Sequence, residues 1–302
     1  MRAADDPRPS VRLNGRARHA PSPASLAYVT DQDRNDADAS LLPERRFGEE
    51  GAQLTYGSYL RVSDLLDQQR LRSDPPAHDE LLFITIHQVY ELWFQLLLHE
   101  LTAARTAMFD GRLWWARHLL ERVRVIEMVL IEQVAVLETM TPQDFLEFRE
   151  QLAPASGFQS VQFRELEFLS GAKDPAFLNR FRGITDAERA RLEHRLSEPT
   201  LWDGFLAALS AAGLATGNDE EVLASLLTVA RDRTSCAELW ELAEALLDHD
   251  AAAARWRSRH VTMVERQIGV KSGTGGSTGA PYLRSRLDLR FFPLLWELRT
   301  WL

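Results

Sequence analysis

Two histidines lie on helical faces whose other residues could enclose a flat ligand. His87 shares one predicted helix face with residues three, four and seven positions away, namely Phe83, Tyr90, Glu91 and Phe94. A wall of aromatic rings suits a flat apolar ligand that carries a single polar N–H group. The alternative is a core histidine whose ring nitrogens are satisfied by its neighbours, which is the commoner state of an isolated histidine.

His260 is the second candidate. It recurs every four residues with Trp256, Val264 and Ile268, so its imidazole projects from an otherwise apolar stripe. A neutral imidazole on such a face is what the proximal ligand of a haem iron requires. Spacing alone nevertheless favours an ordinary core histidine at this position.

Four arginines near these segments could bind anionic groups. Arginine grips a carboxylate through two parallel hydrogen bonds, so Arg149 is a candidate for binding a carboxylate ligand. Its local sequence alone predicts a surface residue. Arg255, Arg257 and Arg259 are predicted to form a solvated face, from which one of them could reach a haem propionate.

A glycine-rich segment at residues 272–279 interrupts the helical pattern. It lacks the residue order of a phosphate-binding P-loop. One interpretation is a flexible connection. The other is a lid whose glycines let the backbone approach a ligand, with the Thr274 hydroxyl as a polar contact.

Cysteine usage narrows the metal chemistry. Cys236 is the only cysteine, which excludes intrachain disulfides, thiolate zinc clusters and the covalent attachment of c-type haem. No HExxH motif, facial-triad spacing or nucleophile–base pair is apparent. Any metal must therefore be held by His, Asp or Glu, or inside a non-covalent cofactor.

The apolar spacing from Leu54 onward predicts an all-α single domain at residues 51–302. Residues 1–50 are rich in Pro, Ala, Asp, Arg and Ser without apolar period, and we expect a mobile, disordered tail there. No strand pair or hairpin signal stands out. Helices are predicted at about 79–109, 112–138, 187–196, 201–212, 220–231, 237–268 and 282–302, with another beginning at Pro142.

The formal net charge of -9 argues against a general nucleic-acid or anionic-membrane partner, either of which favours a basic surface. No run of about 18 apolar residues is present, so no membrane span is expected. The N-terminus lacks the apolar core of a secretory signal. These features together predict a cytoplasmic protein.

Taken together, several separated motifs resemble the tryptophan 2,3-dioxygenase family, particularly its eukaryotic type. The resemblance runs from about Leu54 to the C-terminus, with the motifs in the family's order and spacing. Several motifs in the right order are far more specific than any one of them. The motifs lie at residues 54–60, 78–84, 87–94, 145–149, 154–160, 255–262 and 273–276.

The resemblance implies a haem enzyme that opens the indole ring of L-tryptophan with O2. Its product would be N-formylkynurenine, the first intermediate of the kynurenine route of tryptophan degradation. It implies a bundle of long helices enclosing non-covalent haem b (iron protoporphyrin IX), with His260 as the axial iron ligand. It also implies a homotetramer in which Tyr56 and Tyr59 reach into a neighbouring subunit's active site.

The resemblance also implies roles for other residues, each from its position in a matching motif. His87 matches the distal histidine beside the indole N–H group, and Phe83 matches the ring that packs on the indole. Arg149 matches the arginine that grips the substrate carboxylate. Thr274 matches the loop threonine near the substrate ammonium and carboxylate, and Ser156 matches a serine of the haem pocket.

The resemblance has departures, of which Phe145 is the first, and it leaves two alternatives open. Phe145 stands where many bacterial members carry a tyrosine, so one carboxylate contact is missing. A related haem enzyme of secondary metabolism would insert one oxygen atom, or two, into a tryptophan-like aromatic substrate. In the second alternative, the chain is an all-α binding or scaffold protein without catalysis, and both histidines are ordinary residues of its core.

Overall fold

A computed structural model describes residues 54–180 and 183–302 of the 302-residue chain. The mobile tail predicted for residues 1–50 lies outside these residues. The chain divides into two compact units on either side of the Leu65–Leu66 bond. The first unit contributes residues 54–65 to the described chain, and the second contributes the rest.

The described residues form thirteen α-helices and two short 3-10 helices, with no strand among them. The predicted all-α fold is therefore confirmed. The α-helices are α1 (Tyr56–Leu60), α2 (Val62–Leu66), α3 (Glu80–Phe109), α4 (Leu113–Leu137), α5 (Pro142–Phe148), α6 (Val161–Leu169), α7 (Ala176–Arg180), α8 (Asp186–Ser197), α9 (Leu201–Ala211), α10 (Asp219–Arg231), α11 (Ala237–Ile268), α12 (Ala280–Arg284) and α13 (Pro293–Trp301).

Three long helices, α3, α4 and α11, form the centre of the second unit. Helix α4 packs against both α3 and α11, while α6 and α9 cover α3. Apolar residues repeat along each long helix with helical period, so each of them buries one stripe against its neighbours. Fully buried members of this core include Leu101, Leu120, Val123, Leu242 and Leu246.

Helix α3 is long and apolar enough to cross a membrane by length and composition alone. The core helix of a globular protein meets the same criterion. Helix α3 buries two carboxylates that are hydrogen-bonded within the fold: Glu80 accepts from the backbone N–H groups of Arg72 and Ser73, and Glu100 accepts from Arg122. These contacts, and its packing on α4, α6 and α9, favour a core helix.

The helix boundaries follow local signals. The start predicted at Pro142 is confirmed: Pro142 is the first residue of α5, and a capping box joins Thr141 and Asp144. The single helix predicted at 282–302 is wrong, because α12 ends at Arg284 and α13 begins at Pro293. A proline lacks the N–H group that a continuing helix requires, so Pro293 opens a new helix instead.

Candidate active site

The tautomer of His87 follows from its hydrogen bond. The Nδ1 atom of His87 lies 2.7 Å from the Phe83 carbonyl oxygen, one turn earlier in α3. Because a carbonyl oxygen only accepts, Nδ1 carries the proton and donates it. Burial lowers the pKa of His87, so the ring is neutral at pH 7. The Nε2 atom of His87 is therefore a hydrogen-bond acceptor.

Aromatic rings connect this part of α3 to α5. The Phe83 ring lies 4.1 Å from the His87 ring, and it stacks on Phe145 with centroids 5.7 Å apart. Phe148, which is fully buried, contacts Phe83 edge-on at 5.6 Å. The end of α5 is thus packed against the turn of α3 that carries His87. This packing fixes the position of the residue that follows α5, Arg149.

Arg149 begins the 3-10 helix Arg149–Leu152 and is half-buried. One of its terminal nitrogens donates to the carbonyl oxygen of Ser272 at 2.5 Å, so its guanidinium faces the glycine-rich segment. The local sequence predicted a surface position for Arg149, and in the structure its side chain is partly exposed and partly covered. The group with which it pairs is a neutral carbonyl, and a carboxylate would be a stronger partner for a guanidinium.

The glycine-rich segment packs on residues 153–156. The Thr274 hydroxyl donates to the Ala155 carbonyl oxygen at 2.6 Å. A Cβ atom on Gly275 would lie 2.5 Å from the Cβ atom of Ser156, so only glycine allows this close approach. The Ser156 hydroxyl accepts from the Phe158 N–H group at 3.3 Å, which begins the 3-10 helix Gly157–Gln159. Three predicted site residues, Arg149, Ser156 and Thr274, therefore meet at this segment.

His260 lies on α11 in an apolar environment. Its ring is parallel to that of Trp256, with centroids 4.9 Å apart and planes at 10°. Burial lowers the pKa of His260 to about 4, and the electrostatic effect of His87 contributes to the same lowering. The two imidazoles, from α11 and α3, are thus within electrostatic reach of each other. Among the described residues, no hydrogen bond is made by either ring nitrogen of His260.

The His260 side chain is half-buried, and its ring is neutral at pH 7. Its free lone pair fits an axial ligand of a haem iron. The residues present therefore fit a haem on the side of α11 that faces His87.

The arginines around His260 differ from the predicted solvated face. Arg257 is buried: it donates to the Leu289 carbonyl oxygen at 3.1 Å, and its guanidinium lies 4.8 Å from the Phe291 ring centroid. Arg259 is half-buried and pairs with Glu138 at 2.9 Å. Of the three, Arg255 alone is exposed. The prediction was wrong for Arg257 because its partners come from a distant part of the chain.

Tyr56 and Tyr59 belong to α1, in the first compact unit. Their exposed fractions are 79% and 69%, respectively. Helix α1 begins with a capping box formed by Thr55 and Ser58. Both phenol side chains therefore project from a short, locally stabilised helix.

Several buried polar residues were missed by the sequence analysis. The Glu127 carboxylate pairs with His249, and His249 in turn contacts the Ser170 hydroxyl. Asp250 accepts hydrogen bonds from the backbone N–H groups of Phe291 and Phe292. The partners in these pairs are far apart in sequence, so spacing gave no signal for them.

Comparison with known proteins places the chain in a family. The tryptophan 2,3-dioxygenase family model matches residues 42–214 and 220–302. The chain belongs to the tryptophan 2,3-dioxygenase family. A tryptophan 2,3-dioxygenase of Nocardioides sp. is 70% identical over 84% of this chain and 97% of the relative. Those of Herpetosiphon aurantiacus and Burkholderia pseudomallei are 46% and 41% identical, over 82% and 98% of this chain and 98% of each relative.

Members of the tryptophan 2,3-dioxygenase family are oxidoreductases that depend on haem and O2. Apart from Asp219, the first residue of α10, the matched region includes the helices of the second unit and also α1 and α2. The candidate site residues on α3, α5, α11 and the glycine-rich segment therefore lie in the part of the chain that the family model matches.

Proposed function

We propose that this chain opens the indole ring of L-tryptophan at a site to which His87, Arg149 and His260 contribute. The reaction is the haem-dependent cleavage of the indole C2–C3 bond by O2. Both oxygen atoms enter the product, N-formylkynurenine, which makes this the first step of tryptophan degradation by the kynurenine route. The observation that carries the proposal is the His260 imidazole, which stacks on Trp256 and makes no hydrogen bond with a described residue.

The cofactor in this proposal is haem b, iron protoporphyrin IX held without a covalent link. The lone cysteine, Cys236, is unable to form the paired thioether links of a c-type haem. His260 would hold the haem iron, and Ser156 would lie in the haem pocket. When bound, haem would supply the iron chemistry that activates O2.

Arg149, Thr274 and Phe83 would bind and orient the substrate. The Arg149 guanidinium now donates to the Ser272 carbonyl, so a substrate carboxylate would replace a neutral acceptor with a charged one. The Thr274 hydroxyl lies on the same segment and would contact the amino-acid group of the substrate. The Phe83 ring would pack on the indole. Fixing both ends of the substrate presents its C2–C3 bond in one orientation.

His87 would accept a hydrogen bond from the indole N–H group. Its Nδ1 atom already donates to the Phe83 carbonyl, which leaves Nε2 as the acceptor. Indole is a very weak acid, so we assign His87 the role of a hydrogen-bond partner that positions the ring. Burial keeps the imidazole neutral, which preserves this acceptor over the physiological pH range.

The reaction class is tested with isotopically labelled oxygen. Reduced holoenzyme is supplied with L-tryptophan and ¹⁸O2, and the product is analysed by mass spectrometry. We expect two labelled atoms in N-formylkynurenine, because the bond cleavage uses both atoms of O2. A product that carries one labelled atom would instead identify a monooxygenase acting on the same ring.

We further propose a homotetramer whose sites are shared between protomers. Helix α4 carries exposed apolar residues that a neighbouring subunit would cover, including Trp114, Val125, Met128 and Val136. Tyr56 and Tyr59, also exposed, would complete the active site of a neighbour. Light scattering of the holoenzyme is expected to give the mass of four chains. A monomer at working concentration would contradict the shared site.

The domain boundaries and location complete the proposal. Residues 51–302 would form the catalytic domain, since the family model matches nearly all of this range. Residues 1–50 would be a tail. We place the protein in the cytoplasm, where a chain with one cysteine requires no oxidative folding.

A further inference from the structure

A buried cavity of about 50 Å³ lies between α3, α4, α6 and α11, behind the Trp256 ring. Each of the four helices contributes apolar side chains to its wall, among them Leu97, Leu130, Leu166 and Ala252. All the described residues of this wall are buried or half-buried. The reaction proposed above gives the cavity no role.

The surface of the cavity is almost entirely apolar. Its polar wall residues turn their polar atoms toward one another: Nδ1 of His249 lies 2.6 Å from Oε1 of Glu127, and Nε2 lies 2.9 Å from the Ser170 hydroxyl. The other carboxylate oxygen of Glu127 is also buried. A water needs roughly two to four polar partners, so we expect this cavity to stay dry.

The cavity comes closest to the candidate active site at Trp256. Three of its wall residues, Phe163, Ala253 and Trp256, are only half-buried, so its cover is thinnest on this side. The ring centroids of Phe163 and Trp256 lie 5.1 Å apart, and Trp256 stacks on His260 at 4.9 Å. Trp256 therefore belongs both to the cavity wall and to the surroundings of His260.

Size and polarity limit what the cavity can hold. A space of about 10–15 Å³ suffices for one molecule of the size of water. A cavity of about 50 Å³ therefore accommodates a diatomic gas but is far too small for L-tryptophan. O2 is apolar, so it loses little hydration and gains dispersion contacts when it enters such a space. The tryptophan 2,3-dioxygenase family depends on O2.

We propose that this cavity is a docking site for O2, in which the gas collects behind Trp256 before it reaches the reaction site. Occupancy of the cavity raises the local concentration of O2 beside the candidate active site. The role in O2 supply rests on the function proposed above, whereas the affinity of the cavity for a small apolar gas does not.

Xenon pressure on crystals of the holoenzyme tests the site itself, because xenon is an apolar atom that enters dry cavities. We expect xenon in the cavity and no ordered water. A cavity without xenon, or one filled by ordered water, would overturn the proposal. This measurement requires no turnover, so its result is separate from the proposed function.

Two substitutions fill the cavity from different helices. Ala252→Val adds two carbon atoms from α11, and Leu97→Phe enlarges a side chain of α3. Each should abolish xenon binding and raise the apparent KM for O2 several-fold at saturating L-tryptophan, as measured with an oxygen electrode. The KM for L-tryptophan and the haem content should stay unchanged. If one variant fails to fold, the other gives the same test.

The matched control is Ala243→Val, which adds the same two carbon atoms to a buried alanine of α11 outside the cavity wall. It should keep both its xenon and the original KM for O2. An unchanged KM for O2 in a filled variant that has lost its xenon would show that the cavity takes no part in O2 supply. An unmodified enzyme that binds xenon but consumes no O2 with L-tryptophan would instead contradict the proposed function, and with it the role in O2 supply.

Discussion

Replacing His260 with alanine is expected to reduce haem occupancy of the purified protein at least about tenfold, because the iron loses its protein ligand. The fold should survive. The side chain makes no hydrogen bond with described residues, and the change removes a group whose protonation burial already disfavours. Haem content per chain from the Soret absorbance, with circular dichroism of the same sample, measures both quantities.

His99→Ala is the matched control for His260. His99 is an exposed histidine on α3, so this variant should retain full haem occupancy. If the His260 variant kept its haem while folded, the iron would have another ligand. If it failed to fold, His260→Gln, which keeps a polar side chain of similar reach, would separate ligation from packing.

Replacing Arg149 with alanine is expected to leave haem in place but to weaken L-tryptophan binding by about 2 kcal/mol or more. This corresponds to an increase in Kd of roughly 30-fold. The substrate carboxylate would lose its charged partner inside the pocket. Titration of the haem spectrum with L-tryptophan measures the affinity directly, apart from turnover.

Two control measurements test whether the effect is specific to Arg149 and to the substrate carboxylate. Tryptamine lacks the carboxylate, so its weaker binding should be the same in the enzyme and in Arg149→Ala. Arg233→Ala changes an exposed arginine between α10 and α11 and should bind L-tryptophan normally. An unchanged affinity for L-tryptophan in Arg149→Ala would show that Arg149 does not bind the substrate carboxylate.

The long helices could be predicted from sequence because their signals are local. Apolar residues repeat with helical period through α3, α4 and α11, and the predicted bounds agree with the structure to within one residue. The faces that carry His87 and His260 follow from the same periodicity. The break at Pro293 also has a local signal, since proline is favoured at the first position of a helix.

The buried polar pairs could not be predicted, because their partners are distant in sequence. Glu127 and His249 are 122 residues apart, and Ser170 and His249 are 79 apart. Arg257 resembles an exposed arginine in its local sequence, yet the Leu289 carbonyl and the Phe291 ring accommodate it in the interior. Periodicity shows which face of a helix is buried, but it does not show which polar groups meet there.

The most direct test of the central claim is the rescue of His260→Gly by free imidazole. Glycine removes the side chain and leaves space for an added ligand. We expect the variant to be purified with little haem, and imidazole with added haem to restore a Soret band that shifts when L-tryptophan binds. A glycine variant that holds haem without imidazole, or a restored band that L-tryptophan does not move, would contradict an iron held at position 260 beside the tryptophan pocket.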